Sequence, residues 1–331
     1  MSTKLAATFA ALIIATVAVS SIAVVGGSPN FDYECDEDGN ITATNTSSGM
    51  LRGALWNVED YSGLEKFSQR GDQLTWNDPG DTVGPHVFKV TLKVYTYAGV
   101  ERSITKDVVR DGYKEYTVSW TYNHNNYSIM VSIHTSDFIQ YKDTKINRAP
   151  GGSVNSALVS EFVSGTSTSN DAFEYIVQQF NDQFAGKGLS QEDRINCVML
   201  FVENIGYATD MDTTGQDEYW KFPIETLFAQ GDCEDLAMLM ISLLIAIEDL
   251  PMALFIFWNI HNSGSGHAMA AVDARTPHPS IDIEDTSSGW YTTPDGLTFY
   301  ACETTAVGWA VGEMPPQLSD VRPDRILEVN V

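Results

Sequence analysis

The stretch GDCEDLAMLM at residues 231–240 decides how the rest of the chain is interpreted, because it places a cysteine where a glycine turn runs into a strongly apolar helix. Further along the chain, His267 opens an apolar strand. A thiol is an effective nucleophile as the thiolate, and a helix N-terminus together with a nearby imidazole lowers the thiol pKa. The pairing of Cys233 with His267 therefore indicates covalent catalysis.

The segments around this stretch predict an α+β domain. The helix predicted at residues 233–248 is apolar on nearly every face, which is typical of a helix enclosed by its own domain. Three apolar segments follow it at residues 252–258, 267–273 and 297–305. Since no helix separates them, they predict an antiparallel sheet packed on a central helix.

The N-terminal half has the pattern of β-structure. Residues 86–97 alternate apolar and polar side chains, as a half-buried strand does, and a hairpin turn is expected at residues 123–126. Residues 28–55 are polar and predict a loosely ordered leader, whereas the Pro/Gly/Ser-rich residues 149–153 predict a linker. After the linker the pattern becomes helical, and Ser190 with Asp193 resembles a capping box.

The N-terminal segment predicts the location of the protein. Residues 5–25 carry no charge, and at about 1.5 Å per residue they span roughly the 30 Å of a bilayer's hydrocarbon core. Lys4 precedes the segment and acidic residues follow it, so the remainder is expected outside the cell. The predicted organisation is a signal peptide or membrane anchor at 1–27, a β-rich extracellular domain with a polar leader at 28–155, and the cysteine-bearing domain at 156–331.

The charge is strongly acidic and unevenly distributed. The formal net charge is −25, and only six of the lysines and arginines lie in residues 156–331. This polarity argues against nucleic acid and anionic lipid as partners. Two interpretations of the negative charge remain. One is a generic acidic surface, as in proteins exposed to high salt, and the other is an electrostatic field that attracts a cationic substrate.

The four cysteines do not form a recognisable disulfide or metal framework. They lie at positions 35, 197, 233 and 302, and no pair has the CxxC spacing of a zinc site. A chain of this length does not require disulfides for stability. No disulfide pair, metal or cofactor is therefore predicted.

Several of these segments together resemble the transglutaminase-like superfamily of papain-type fold, in its secreted or membrane-anchored prokaryotic branch. The resemblance covers roughly residues 190–315, and its pieces are Tyr219–Leu227, Gly231–Asp235, Ser242–Leu244, Gly266–Ala268 and Tyr300–Thr305. It implies a Cys-His-acid triad that transfers an acyl group from an amide, with Cys233 as nucleophile and His267 as base. The family's third member is an aspartate, and Glu303 stands in that place here.

The acid that orients the imidazole has competitors. Asp273 lies six residues along the same predicted strand as His267, roughly 20 Å away, and fails on geometry. Asp282, Glu284 and Asp285 lie in a Pro/Ser/Gly-rich loop and stay open as alternatives to Glu303. Among the histidines, His261 is the nearest rival of His267.

The residues beside the cysteine raise a physical difficulty. Carboxylates at Asp232, Glu234 and Asp235 raise a thiol pKa unless they point away from the sulfur. The same side chains stabilise the start of a helix. For the oxyanion, the expected donors are the Cys233 backbone N–H and one further group, which Trp220 or Tyr219 would supply or shield. The alternative is that these two residues are core aromatics.

These observations predict extracellular, thiol-dependent acyl transfer on protein amides, most simply hydrolysis as in a cysteine peptidase or amidase. The expected partner is a protein or peptide substrate at the cell surface, with the membrane reached through the N-terminal helix and the oligomeric state left open. Transglutaminase-type cross-linking and a non-catalytic cell-surface module are the alternatives. A weaker calcium hypothesis uses Asp210, Asp212 and Asp217, although the expected twelfth-position glutamate is replaced by Lys221.

Overall fold

A computed structural model describes residues 28–329 except 36–39, 60–64, 78–85, 111, 168–169, 259, 263–265, 274–288 and 294–295. The chain is α+β with antiparallel sheets, and it divides into one unit that ends at Asp111 and another that begins at Gly112. None of the helices in the described ranges has the length and apolar character needed to cross a membrane. The predicted anchor at residues 1–27 lies outside those ranges.

The first unit contains two antiparallel sheets that share one apolar core. Its described strands are β1 (Phe31–Cys35), β2 (Asn40–Asn45), β3 (Leu51–Glu59), β4 (Glu65–Arg70), β5 (Gln73–Asn77), β6 (His86–Thr96) and β7 (Glu101–Arg110). One sheet has the order β1-β2-β5 and the other the order β4-β3-β6-β7. Phe31 of the first sheet packs edge-on against Trp56 of the second, with ring centroids 5.1 Å apart.

The prediction of a polar leader at residues 28–55 is wrong, because this segment supplies three strands of the sandwich. Ile41 and Ala43 are fully buried in the core, while the threonines between and beside them face outward. In a short strand with only two or three apolar positions, the outward polar side chains dominate the composition. The segment therefore resembles a leader in composition although it alternates as a strand does.

The second unit opens with a hairpin of β8 (Tyr113–Tyr122) and β9 (Asn125–His134). The predicted turn lies between them, with Asn123 and His124 at φ values of 46° and 63°. The boundary between the units is thus at 111/112 and not at 155/156. The predicted linker is held by its neighbour Arg148, which donates hydrogen bonds to the Trp220 carbonyl and to Glu225, so this segment packs within the second unit.

Seven α-helices lie in the described part of this unit. They are α1 (Thr135–Lys142), α2 (Ser156–Ser167), α3 (Asp171–Phe184), α4 (Gln191–Glu203), α5 (Asp210–Thr214), α6 (Pro223–Ala229) and α7 (Cys233–Glu248). The predicted capping box of Ser190 and Asp193 opens α4. As expected from its sequence, α7 is buried along most of its length and contacts α2, α4 and α6.

An antiparallel sheet of five strands packs on α7. The strands are β10 (Met252–Phe257), β11 (His267–Asp273), β12 (Trp290–Thr292), β13 (Thr298–Cys302) and β14 (Arg325–Glu328), in the order β12-β13-β11-β10-β14. Helix α7 contacts β10 and β11, the two strands that follow it in the chain. The predicted central helix on an antiparallel sheet is confirmed, and this packing brings the start of α7 close to the start of β11.

Candidate active site

Cys233 is the first residue of α7, and Gly231 determines how the chain enters this helix. A Cβ atom at position 231 would lie 2.4 Å from the Cβ of Asp235, which is far inside van der Waals contact. Only glycine lets the turn approach the first turn of α7 so closely. The glycine therefore fixes the position of the thiol.

The Cys233 thiol lies between a carboxylate and the start of β11. Its S–H donates to Oε2 of Glu234 at 3.2 Å, and the backbone N–H of Ala268 forms a hydrogen bond to the sulfur. Ala268 follows His267 in β11. The packing of α7 on β11 therefore places the thiol beside the start of this strand, where His267 lies. Cys233 is partly buried in this setting.

The surroundings of the thiol favour its protonated form. Burial raises the pKa of Cys233 well above its ordinary value, and the nearby carboxylates of Glu234 and Asp232 raise it further. The hydrogen bond from Ala268 lowers the thiol pKa but does not offset these effects. The predicted effect of the neighbouring carboxylates is confirmed, and the resting group at neutral pH is a thiol.

Replacing Glu234 by glutamine should make Cys233 more reactive. The substitution removes a negative charge 3.2 Å from the sulfur and keeps the side chain's shape. A lower thiol pKa increases the thiolate fraction at pH 7.5 by more than it reduces the nucleophilicity of each thiolate, so we expect roughly threefold to tenfold faster alkylation by iodoacetamide, measured by mass spectrometry. The exposed Glu161→Gln serves as the matched control. An unchanged or slower rate in Glu234→Gln would mean that Glu234 does not restrain the thiol.

His267 is paired with an acid across the sheet. Its Nε2 lies 2.8 Å from Oε2 of Glu303, and the other oxygen of Glu303 accepts hydrogen bonds from the backbone N–H and the hydroxyl of Thr305. Burial alone would raise the pKa of Glu303, but the hydrogen bonds from His267 and Thr305 outweigh it and lower that pKa. An ionised carboxylate only accepts hydrogen bonds, so Nε2 carries the proton and a neutral imidazole has Nδ1 unprotonated.

The strand register explains this pairing. Ala270 of β11 stands opposite Cys302 of β13, so the next residue, Glu303, comes opposite Met269. Met269 and His267 lie on one face of β11 because strand side chains alternate with a period of two. Glu303 thus reaches His267 from a neighbouring position on that face. The Glu303 side chain is almost fully buried, with an exposed fraction of 1%.

The alternatives to Glu303 and His267 either lie elsewhere in the structure or fall outside the described residues. Asp273 lies at the far end of β11 from His267, as expected from the strand length. Asp282, Glu284 and Asp285 fall in residues 274–288, outside the described ranges. His261 Nε2 lies 2.9 Å from the carbonyl of Gln317, away from the His267–Glu303 pair.

A buried ion network supports the first turn of α7. Lys221 Nζ lies 2.5 Å from Oδ1 of Asp210 and 2.6 Å from Oδ2 of Asp235, and all three side chains are at most 2% exposed. Burial would lower the pKa of Lys221, but Asp235 and Asp210 outweigh it and raise that pKa. Lys221 therefore stays charged and ties α5 and α7 together.

The aromatic side chains proposed as oxyanion donors are engaged elsewhere. Trp220 Nε1 donates to Glu218 at 2.8 Å, and the Tyr219 hydroxyl donates to Glu225 at 3.2 Å. Neither side chain has its polar group available as a second donor in this arrangement, and the burial of both rings agrees with the alternative that they are core aromatics. Their buried rings instead support the loop before α6.

The calcium hypothesis does not fit the contacts of its aspartates. Asp210 is bound by Lys221 and by the backbone N–H of Tyr219, whereas Asp212 accepts the hydroxyl of Thr209, the residue that caps α5, at 2.6 Å. Among the described residues, two groups bring potential metal ligands within 4.8 Å of one another, and neither contains Asp212 or Asp217. One group is Asp210, Asp232 and Asp235, of which Lys221 contacts Asp210 and Asp235. The other group is Asp232, Cys233 and Glu234.

Two further residues at the site were missed by the sequence reasoning. Tyr207 is half exposed and close enough to Cys233 and Asp232 that both raise its pKa, after the larger effect of burial. Glu203 lies near Glu303, and burial raises the pKa of Glu203 to about 7 although the Gly308 and Trp309 backbone N–H groups lower it. Neither residue belongs to a motif in the sequence.

No protein-family model, curated protein sequence or solved structure matches this chain. The interpretation of the site therefore depends on its own geometry. The structure brings Cys233, His267 and Glu303 to neighbouring ends of α7, β11 and β13. Their catalytic roles stay predictions.

Proposed function

We propose that this chain is a thiol-dependent hydrolase of protein amides, similar in its fold and triad to the transglutaminase-like, papain-type superfamily. The hydrogen bond between His267 and Glu303 carries the proposal, because it fixes an imidazole with Nδ1 free at the strand end that contacts the Cys233 thiol. A structural histidine does not require a buried, ionised partner that two further hydrogen bonds hold in place. The orientation instead suits a general base.

In the proposed reaction, the sulfur of Cys233 attacks a carboxamide or peptide carbonyl carbon while His267 Nδ1 takes the thiol proton. Because the resting group is a thiol, proton transfer accompanies attack and no preformed ion pair is needed. The Cys233 backbone N–H, at the start of α7, stabilises the oxyanion. Glu303 stays ionised and stabilises the imidazolium.

The second half of the reaction decides the product. His267 returns its proton to the leaving amine or ammonia, which departs and leaves a thioester on Cys233. Attack by water then releases a carboxylic acid, whereas attack by a primary amine forms a cross-link. Hydrolysis is favoured because water is always available. The substrate is proposed to be a protein at the outer face of the cell membrane or in the medium, in keeping with the uncharged residues 5–25.

A non-catalytic surface module is the second candidate. The raised pKa of Cys233 favours it, since a thiol held by Glu234 is a weaker nucleophile than the thiolate of most cysteine hydrolases. The two candidates differ in whether the buried Glu303 and its histidine have any effect on chemistry at the sulfur.

Turnover of amides by the wild-type chain, and its loss in Cys233→Ala, should separate these candidates. Pooled internally quenched peptides would report backbone cleavage, ammonia release would report deamidation, and incorporation of a fluorescent primary amine would report cross-linking. We expect at least one signal in the wild type and in Cys197→Ala, since Cys197 is a buried thiol in α4, and none in Cys233→Ala. Wild-type turnover that persists in a folded Cys233→Ala, or its complete absence in the wild type, would leave the surface module as the better account.

A further inference from the structure

A cavity of about 530 Å³ lies in the second unit, beside the hairpin of β8 and β9. One wall comes from β8 and the other from the ends of α4 and α6. Its lining includes Lys114, Thr117 and Ser119 of β8, together with Ile205 and Gln230. Cys233 is not among the residues that line this groove.

The groove follows the edge of β8. Four consecutive residues of this strand, 116–119, line it. Side chains alternate between the two faces of a strand, so a cavity that touches four residues in a row must run along the strand's edge, where the backbone is accessible. The stretch from Lys114 to Ser119 is about 20 Å long at 3.3 Å per residue, the length of an extended hexapeptide.

The hairpin register shows which backbone groups point into the groove. Tyr122 and Asn125 flank the two-residue turn and form a hydrogen-bonded pair, so the even positions of β8 bond to β9. Thr117 and Ser119 direct their N–H and C=O groups the other way. Among the described residues these four groups have no hydrogen-bond partner, and β8 pairs with β9 alone.

The opposite edge of the hairpin is covered at Ser128 and Met130 by side chains of α3. Met130 and Ser128 of β9 stand opposite Thr117 and Ser119 and likewise point their backbone groups outward. Gln179 of α3 accepts from the Met130 N–H at 2.8 Å and donates to the Met130 carbonyl at 2.9 Å, and Gln183 donates to the Ser128 carbonyl at 2.7 Å. Two glutamine side chains thus take the place of a strand on β9, while the edge of β8 is left open to the groove.

Lys114 gives the groove a positive charge. Its Nζ donates to the Phe228 carbonyl and lies over the rings of Tyr116 and Phe228, and no described carboxylate pairs with it. Burial lowers the pKa of Lys114, with no neighbouring charge contributing. A partly buried ammonium without a counterion is matched by an acidic group on a ligand.

We propose that the groove binds an extended polypeptide segment of another protein, which adds to β8 as a strand and places an acidic side chain on Lys114. The backbone of Thr117 and Ser119 would supply the strand hydrogen bonds, and the ammonium of Lys114 would set the position of the acid. This site does not depend on the chemistry proposed for Cys233, and binding is expected to be the same in Cys233→Ala.

Binding of synthetic hexapeptides to the full chain tests this proposal. The probes are six amidated peptides of alternating valine and threonine, each with an uncharged coumarin dye on its N-terminus and with one glutamate moved through each position. At least one should bind saturably below about 1 mM by fluorescence anisotropy, and should slow hydrogen exchange at the amides of Thr117 and Ser119. The same peptide with N-methylated backbone amides should not bind.

Matched variants distinguish strand addition from nonspecific contact. Lys114→Met should weaken binding of the best peptide about tenfold, whereas Lys145→Met, at an exposed lysine of the same unit, should not change it. Thr117→Pro removes an outward N–H without touching the β9 ladder and should abolish binding, which provides a second variant if Lys114→Met does not fold. Absence of binding by all six peptides, unchanged exchange at Thr117 and Ser119, or equal affinity in the folded variants would overturn the proposal.

Discussion

Replacing Lys221 by methionine should lower the free energy of unfolding by about 3–5 kcal/mol, because it leaves two buried carboxylates without their shared cation. Lys221 contacts Asp210 and Asp235 at 2.5 and 2.6 Å, and neither carboxylate is more than 2% exposed. Methionine fills most of the space of the lysine stem, so the loss reports the charge and not a cavity. Chemical denaturation at pH 7 measures it, with Lys145→Met as an exposed control.

The destabilisation should also depend on pH with a definite sign. In Lys221→Met the buried carboxylates lose their cation, so their folded-state pKa values lie above the unfolded ones. Each such carboxyl group destabilises the folded state at pH values above its unfolded pKa, and this destabilisation disappears as the pH falls below that value. The difference between the variant and the wild type should therefore shrink between pH 7 and about pH 4. A loss below about 1 kcal/mol at pH 7, or one that grows on acidification, would contradict the role assigned to Lys221.

Glu303→Ala should reduce kcat by about 10²- to 10⁴-fold on any amide that the wild type turns over, with little change in KM. The variant removes the acceptor 2.8 Å from His267 Nε2, so the ring is free to rotate and to adopt the other tautomer. The exposed Glu174→Ala is the control for loss of a carboxylate alone. Steady-state kinetics on the pooled peptides measures the effect.

The pH profile provides an independent check of Glu303. Its pKa is lowered in the folded chain, so the carboxylate should stay ionised as the pH falls through the usual range of glutamate. Its contribution to catalysis and to stability is present above the unfolded pKa and is lost only as the pH falls through the lower folded value. A purely structural glutamate would alter the melting temperature in Glu303→Ala while leaving kcat unchanged, and that result would remove Glu303 from the proposed triad.

Local sequence patterns were sufficient to predict the parts of the fold that bury one continuous face. Apolar periodicity gave the extent of α7 and β11, turn chemistry gave the hairpin at Asn123 and His124, and the Ser190–Asp193 pair gave the start of α4. Each of these features depends on residues close together in the sequence. The pairing of His267 with Glu303 came from the family resemblance, since their contact depends on the register of β11 with β13.

The remaining features depend on contacts between residues far apart in the chain. Arg148 binds Glu225 across 77 positions, so composition alone placed a linker where the chain is packed. Lys221 offered a usable signal, because a lysine between aromatic residues in an apolar run requires a buried acid, but the sequence did not say which one. Glu203 approaches Glu303 only through the fold.

Because Gln179 and Gln183 of α3 bond to the edge of β9, the hairpin resembles a monofunctional monomer in polymer chemistry, with one edge that can pair with another strand. A sheet with two open edges can be extended repeatedly by further strands. In this hairpin, Gln179 and Gln183 already form hydrogen bonds to one of the two edges. Two copies that met edge to edge through β8 would stop at a pair, because each would present a closed β9 edge outward. The number of copies that could pair through the hairpin would thereby be limited to two by the side chains of Gln179 and Gln183.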